Sequence, residues 1–183
     1  HGGQQARGGR PQRNIDEDDL ESVRRFRRRE PVKIENLVKE GMEIIVQVQK
    51  DPIATKGARL TCHVSLPGRY LVFMPSVDHI GVSRRIESEL ERRRLKEIIS
   101  HIKPPKTGVI VRTASGKQTD QKLKDDLDYL VRTWNEIQKK FVKQKSPSVV
   151  YQDLNIVLRT IRDAVADDID KIIVDSEREH KNI

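Results

Sequence analysis

A short apolar run between two amphipathic segments constrains the fold of this chain most strongly. Residues 108–113 read GVIVRT, and a run of this length rich in β-branched residues predicts a buried strand. On either side of it, over residues 87–102 and again from Thr119 to Phe141, apolar residues recur at steps of three and four. That spacing predicts two helices with one apolar face each, and Thr119 is a candidate N-cap for the second. The alternation of helix and strand predicts a mixed α/β fold.

Shorter elements are predicted elsewhere. Alternating apolar and polar residues predict a strand over residues 43–49, and a turn that contains Gly57 separates it from a second strand over residues 58–66. A third strand covers residues 70–74. Near the C-terminus the pattern predicts two more strands around a helix; they are residues 149–151 and 171–174, with the helix over residues 156–165.

The end of the central run carries groups suited to an anion. If residues 109–111 are buried, Arg112 and Thr113 lie at the rim of the strand. A guanidinium offers a planar set of donors that matches phosphate, and a hydroxyl can donate beside it. Arg84 and Arg85 would add two guanidinium groups just before the first helix. These residues predict a site for one compact anion, although a solvated rim would show the same residue types.

The charge balance points to a polyanionic partner. The chain has 183 residues and a formal net charge of +8, and lysine or arginine that neutralises phosphates releases condensed counterions. A basic surface without a ligand explains the charge equally well. Cys62 is the single cysteine, which excludes an internal disulfide and favours a reducing, cytoplasmic location. No run approaches the roughly 20 apolar residues of a membrane helix, so no membrane segment is predicted.

Three blocks in a fixed order resemble the RNase E/G family of bacterial endoribonucleases. They are LPGRYLVFMP at residues 66–75, GVSRRIE at residues 81–87 and VRTA at residues 111–114. The resemblance runs from about Ile34 to the C-terminus. In that family the matching region is the 5′ sensor, which binds the monophosphate at the 5′ end of RNA.

The resemblance also implies how the chain is divided. Residues 32–62 resemble the C-terminal part of an OB-type RNA-binding barrel, residues 63–146 the α/β 5′-sensor region, and residues 147–183 part of an RNase H-like subdomain. Residues 1–31 have too little apolar surface to offset the entropy of ordering, so they are predicted to be a flexible, charged insertion. The basic block at residues 24–29 could contact RNA or pair transiently with the acidic block at residues 16–19.

Four residues are implied to bind the 5′-phosphate. By the resemblance, Arg112 and Thr113 would contact it through their side chains, and the backbone amide of Val72 would add a donor. Gly68 has no Cβ, so it would let the terminal nucleotide approach the backbone.

Three further residues are implied to contact RNA. Arg84 or Arg85 would brace the phosphate pocket or touch the RNA backbone, and Lys56 matches a family lysine that contacts single-stranded RNA. An exposed lysine in a turn accounts for Lys56 almost as well.

The resemblance implies that the whole protein is a magnesium-dependent endoribonuclease and a homo-oligomer. Its partner would be single-stranded RNA with a 5′-monophosphate, and the metal-binding aspartates would lie downstream. No catalytic or metal-binding residue is therefore predicted within this chain, and the chain is expected to be a fragment. An alternative of another class is a non-catalytic RNA-binding module, for example one that associates with the ribosome.

Other motifs are not predicted to form sites. Gly116-Lys117 lacks both the first glycine and the following hydroxyl residue of a P-loop, and the cysteine and histidines lack metal-ligand spacing. The C-terminal aspartates are predicted to cap a helix and form a turn, whereas those of the long helix are predicted to face solvent. The first group is Asp167, Asp168, Asp170 and Asp175, and the second is Asp125, Asp126 and Asp128.

Overall fold

A computed structural model describes residues 33–165 and 169–183. The predicted insertion over residues 1–31, with its basic block, and Asp167 and Asp168 lie outside the described residues. The elements in chain order are β1 (Gln47–Lys50), β2 (Arg59–Thr61), β3 (Leu66–Pro67), β4 (Leu71–Met74), β5 (Ile80–Val82), α1 (Glu89–Ile102), β6 (Gly108–Val111), α2 (Asp120–Lys143), α3 (Ile156–Ala164) and α4 (Glu177–Asn182). The mixed α/β class is confirmed.

Four strands form a sheet in the order β3-β4-β6-β5. Strand β4 is antiparallel to both β3 and β6, with Val72 opposite Ile110. Strand β5 is parallel to β6, with Val82 opposite Val111, and α1 connects the two. Because parallel strands end at the same edge of a sheet, the residues that follow β5 and β6 lie side by side.

The core lies between this sheet and the two long helices. Along β4 and β6 the side chains alternate between the two faces of the sheet, and the helix-facing set is almost fully buried. That set is Leu71, Phe73, Val109 and Val111, packed with Leu95 and Ile99 of α1 and Leu123, Leu127 and Leu130 of α2. Val72, Met74 and Ile110 form a smaller cluster with Val77. Residues 108–111 of the GVIVRT run are apolar throughout because both faces of the strand are covered.

The helix boundaries follow from local capping. The Thr119 side chain accepts a hydrogen bond from the Lys122 amide at 3.3 Å, which confirms the predicted N-cap of α2. Ser88 caps α1 in the same way, and α1 ends immediately before Lys103-Pro104. The Trp134 side chain is partly buried and packs against the core.

Strands β1 and β2 form a separate antiparallel pair with a register shift between Val48 and Lys50. The Gln47 side chain joins this pair to the larger sheet, since its amide donates to the Ser65 carbonyl and accepts from the Ser65 nitrogen, both at 2.9 Å. Several apolar side chains of this region are exposed, among them Ile44, Val48 and Leu60.

Three strand predictions need correction. The segments at residues 149–151 and 171–174 are not strands, because no ladder partner lies beside them within the described residues. The predicted strand over residues 58–66 is two short strands, β2 and β3, separated by a bend. Strand β5 was not predicted, since three half-buried residues are too few to give a periodic signal. Within the described ranges, no helix has the length and apolar character needed to span a membrane.

Candidate anion-binding site

The two motifs predicted to hold an anion meet at the edge where β5 and β6 end. The Ser83 amide donates to the Val111 carbonyl at 2.9 Å, which continues the parallel ladder by one residue. Beyond it, the hydroxyl oxygens of Ser83 and Thr113 are hydrogen-bonded at 3.0 Å. Ser83 is buried, whereas Thr113, Arg84 and Arg85 are exposed. The edge therefore presents a hydroxyl beside two exposed guanidinium groups.

Arg112 is buried at the same edge, with its side chain only 9% exposed. Its backbone amide donates to the Tyr70 carbonyl at 2.8 Å, and its Nη1 donates to the carbonyls of Gly68 and Arg69. The guanidinium therefore lies against the loop between β3 and β4. This contact brings Arg112 and Gly68 together.

A carboxylate from α3 occupies the donors of Arg112. Asp163 Oδ1 accepts from Arg112 Nη1 at 3.0 Å, and Asp163 Oδ2 accepts from Arg112 Nη2 at 3.3 Å. The same two oxygens accept from Arg162 Nε at 2.9 Å and Arg162 Nη2 at 3.2 Å. Arg162 also donates to the Pro67 carbonyl at 2.8 Å. Two guanidinium groups thus converge on one anion, and we call these three residues the Arg112–Asp163–Arg162 cluster.

The charge state of the cluster follows from its contacts. Burial is the largest single influence on Asp163 and would raise its pKa. The hydrogen bonds and charges of Arg162 and Arg112 together outweigh burial, so the pKa of Asp163 is lowered. The side chain is ionised near neutral pH. Two guanidinium groups and one carboxylate leave the cluster with a net charge of +1.

The backbone of the β3–β4 loop binds a second carboxylate. Asp126 of α2 accepts hydrogen bonds from the amides of Arg69, Tyr70 and Leu71 at 3.1, 2.9 and 2.9 Å. A Cβ built on Gly68 would lie 2.5 Å from Asp126 Oδ2. The prediction that Asp126 faces solvent was wrong, because the helix turns this side chain toward the loop. The close approach to the backbone of Gly68 in this structure is made by Asp126.

The amide of Val72 points to the inside of the sheet. The Leu71 amide donates to Asp126, and the Leu71 carbonyl accepts from the Gly68 amide. Both backbone groups of Leu71 therefore point away from β6. Since backbone groups alternate along a strand, the Val72 amide faces Ile110 in β6. A contact between this amide and a ligand would therefore compete with the ladder.

Lys56 lies apart from this edge. It is exposed in the turn between β1 and β2, where its backbone pairs with Ile53 at 3.0 and 3.1 Å. In this structure Arg112 contacts Gly68, and Thr113 contacts Ser83, which precedes Arg84 and Arg85 in the chain, whereas Lys56 lies on the smaller sheet.

The loop that follows Thr113 is fixed by α1. Glu91 accepts from Arg94 Nε and Nη2 at 2.9 and 2.8 Å and from the Lys117 amide at 2.9 Å. The hydrogen bond from Arg94, followed by that from Lys117, lowers the pKa of Glu91 from 4.5 to about 2 against the opposing effect of burial. Arg94 also donates to the Gln118 carbonyl at 3.0 Å. These contacts hold the loop between Thr113 and α2 against α1.

No group of three or more metal-ligating side chains is gathered in residues 33–165 or 169–183.

Sequence reasoning missed three residues of the site. Arg162 and Asp163 carried no signal beyond their place on an amphipathic helix, because their partners lie 51 or more residues earlier in the chain. Ser83 was part of a recognised motif, but its contact with Thr113 depends on the unpredicted strand β5.

Comparison with known proteins gives a consistent result. The model of the Ribonuclease E/G family matches residues 65–183. Ribonuclease G of Escherichia coli (strain K12) is 43% identical over 143 residues, which cover 78% of this chain and 29% of that protein. Ribonuclease G of Salmonella typhimurium is 41% identical over 150 residues, covering 82% of this chain and 31% of that protein. A putative ribonuclease E of Buchnera aphidicola subsp. Baizongia pistaciae is 43% identical over 145 residues, covering 78% and 35%.

The chain thus spans about a third of the length of the curated relatives it matches. The matched residues include the sheet edge formed by β5 and β6 and the whole Arg112–Asp163–Arg162 cluster. By sequence and by the family model, this chain belongs to the ribonuclease E/G family.

Proposed function

We propose that this chain is the RNA-binding and 5′-monophosphate-sensing part of an endoribonuclease that cleaves single-stranded RNA. Family membership supports ribonuclease activity for the whole protein, since the relatives are named ribonuclease G and ribonuclease E. One observation carries the sensing role: Arg112 and Thr113 follow β6 at the edge where Ser83, Arg84 and Arg85 follow the parallel strand β5, and the Thr113 and Ser83 hydroxyls are in contact. Ligands of α/β sheets bind preferentially at such carboxyl ends.

The chemistry of the edge suits a terminal phosphate. A phosphate monoester carries about −1.5 to −2 charges near pH 7, more than an internal phosphodiester. Arginine binds phosphate through parallel, charge-assisted hydrogen bonds, which Arg112 would supply. Thr113 would donate its hydroxyl, which Ser83 holds in place at 3.0 Å. The exposed Arg84 and Arg85 would attract the adjoining RNA backbone.

The remaining parts of the proposal concern the whole protein. The β1–β2 pair would be the end of an OB-type barrel with Lys56 against single-stranded RNA, and the region after residue 146 would belong to an RNase H-like subdomain. Magnesium would activate water for hydrolysis in the whole protein. A homo-oligomeric assembly and a cytoplasmic location belong to the same proposal.

The test is a binding competition between two single-stranded RNAs that differ only at the 5′ end, one monophosphorylated and one with a hydroxyl. The full chain should prefer the monophosphate about tenfold, as expected for a hydrogen bond to a charged group worth about 1.5–3 kcal/mol. Arg112→Ala should abolish the preference, and Arg112→Lys should restore part of it because a point charge cannot match the planar donor set.

Arg93→Ala is the matched control, because Arg93 is an exposed arginine that pairs with Glu89 of its own helix, α1. It should keep the preference. No preference in the unmodified protein, or equal weakening of both RNAs by Arg112→Ala, would contradict the sensing role. Cleavage of either RNA by the whole protein in magnesium separates an endoribonuclease from a non-catalytic RNA-binding module.

A further inference from the structure

The Asp163 carboxylate is held in the way that arginine pairs hold phosphate. Each of its oxygens accepts one hydrogen bond from Arg112 and one from Arg162, at distances between 2.9 and 3.3 Å. Carboxylate and phosphate share this bidentate geometry toward a guanidinium. The residues that converge on Asp163 therefore form a built anion site whose present occupant belongs to the chain itself.

We propose that Asp163 is a resident anion which the terminal phosphate of RNA displaces, and that the phosphate is then held by Arg112 and Arg162 together. This inference rests on the proposed 5′-phosphate recognition and adds Arg162 to the residues that determine specificity. It also makes Asp163 an internal competitor that lowers the affinity of the site.

The charges of the cluster favour this exchange. The Asp163 carboxylate brings one negative charge to two guanidinium groups. A terminal phosphate monoester brings about −1.5 to −2 charges and three oxygen acceptors, which matches two arginines better. An internal phosphodiester brings a single charge and gains nothing over the carboxylate already in place. The exchange is therefore favourable for the 5′ end alone.

The exposed fractions of the three side chains indicate which of them an incoming ligand meets first. The side chains of Arg112 and Arg162 are 9% and 16% exposed, whereas that of Asp163 is 37% exposed. A ligand that comes from solvent thus meets the carboxylate before it meets the arginines. Asp163 is the second-last residue of α3, so a change of its rotamer would move the carboxylate into water while the helix stays intact.

The backbone fixes the two arginines when Asp163 leaves. Arg112 Nη1 donates to the carbonyls of Gly68 and Arg69, and Arg162 Nη1 donates to the Pro67 carbonyl. Three consecutive carbonyls of one loop thus orient both guanidinium groups independently of Asp163. A site that is oriented in advance loses less side-chain entropy on binding.

The experiment measures the ratio of affinities of the full chain for 5′-monophosphate and 5′-hydroxyl RNA. Asp163→Asn removes the competing charge and should increase the ratio about tenfold, mainly through tighter binding of the monophosphate. Asp163→Ser, which removes the charge without placing an amide N–H against the arginines, should act in the same direction. Arg162→Gln should reduce the ratio to near that of Arg112→Ala. Because both RNAs are measured on one preparation, a partly unfolded variant changes both affinities equally.

Asp153→Asn is the matched control, since Asp153 pairs with Arg159 and its side chain is also 37% exposed. It should leave the ratio unchanged. A ratio that falls in both Asp163 variants would show that Asp163 only positions Arg112 and would overturn the exchange. An unchanged ratio in Arg162→Gln would remove Arg162 from the site. If the unmodified protein shows no preference for 5′-monophosphate RNA, the proposed function is wrong, and the exchange that rests on it is wrong as well.

Discussion

The carboxylate of Asp126 occupies the space that a side chain at residue 68 would need. A Cβ on Gly68 would lie 2.5 and 2.7 Å from the two carboxylate oxygens, which also accept the amides of residues 69–71. Glycine is therefore required at position 68 by a contact within the protein. The same contact fixes the backbone next to Pro67 and Gly68, whose carbonyls accept from Arg162 and Arg112. It therefore helps to position both guanidinium groups.

Replacing Gly68 should destabilise the fold. We expect Gly68→Ala to lower the free energy of unfolding by about 1–3 kcal/mol, because the new methyl group forces Asp126 away from its three amide donors. Gly57→Ala is the control, since a Cβ there meets nothing within 4 Å. Urea denaturation measures both. Equal stability of the two variants would contradict the steric argument.

Removing the charge of Asp126 should have a related effect. Asp126→Asn replaces one acceptor oxygen with a donor, which leaves at least one loop amide unpaired and should cost about 1–3 kcal/mol. Asp128→Asn changes a neighbouring exposed aspartate of α2 and should be nearly neutral. A double-mutant cycle with Gly68→Ala should show a coupling energy of about 0.5–3 kcal/mol. Additive effects would mean that the two residues do not act through one contact.

The Glu91 contacts predict a pH dependence of stability. The pKa of Glu91 falls from 4.5 to about 2 on folding, so its ionised form stabilises the native state. This contribution is fully present above about pH 4.5 and is lost as the pH falls toward 2. The difference in Tm between the unmodified protein and Glu91→Gln should therefore be large at pH 6 and should shrink progressively below pH 4.5. A difference that stays constant from pH 6 to pH 2 would exclude this origin.

The hydroxyl pair at the sheet edge should contribute to specificity. Thr113→Val keeps the shape of the side chain and removes the donor, so the preference for 5′-monophosphate RNA should fall about threefold to tenfold. Ser83→Ala should have a smaller effect in the same direction, because it frees the Thr113 hydroxyl to rotate and removes a weak acceptor, at 3.4 Å, of the Arg85 amide. Ser100→Ala, at an exposed position of α1 where the hydroxyl bonds its own helix, serves as the control. The same competition assay measures all three.

Local patterns were enough to predict most of the α/β layer. The helices over residues 87–102 and from Thr119 onward, and the strand that begins at Gly108, were predicted to within a few residues, since each buries one face that repeats at a fixed period. The prediction failed where an element is defined by its partners. Strand β5 is three residues long, and the two expected C-terminal strands have no ladder partner in the described part of the chain.

The residues of the candidate site also fall into those that the sequence identified and those that only the tertiary structure showed. Sequence alone identified Arg112, Thr113, Arg84 and Arg85 as anion-binding candidates, because donor chemistry is a property of each residue and because the ordered blocks carry the family resemblance. Only the tertiary structure showed that Asp163 and Arg162 surround Arg112 and that Asp126 fills the space above Gly68. Periodicity tells which face of a helix is apolar, but it holds no information on which polar residues of distant segments will meet. Those contacts are decided when α2 packs against the sheet and α3 brings Arg162 and Asp163 to Pro67 and Arg112, and they determine what the arginine can bind.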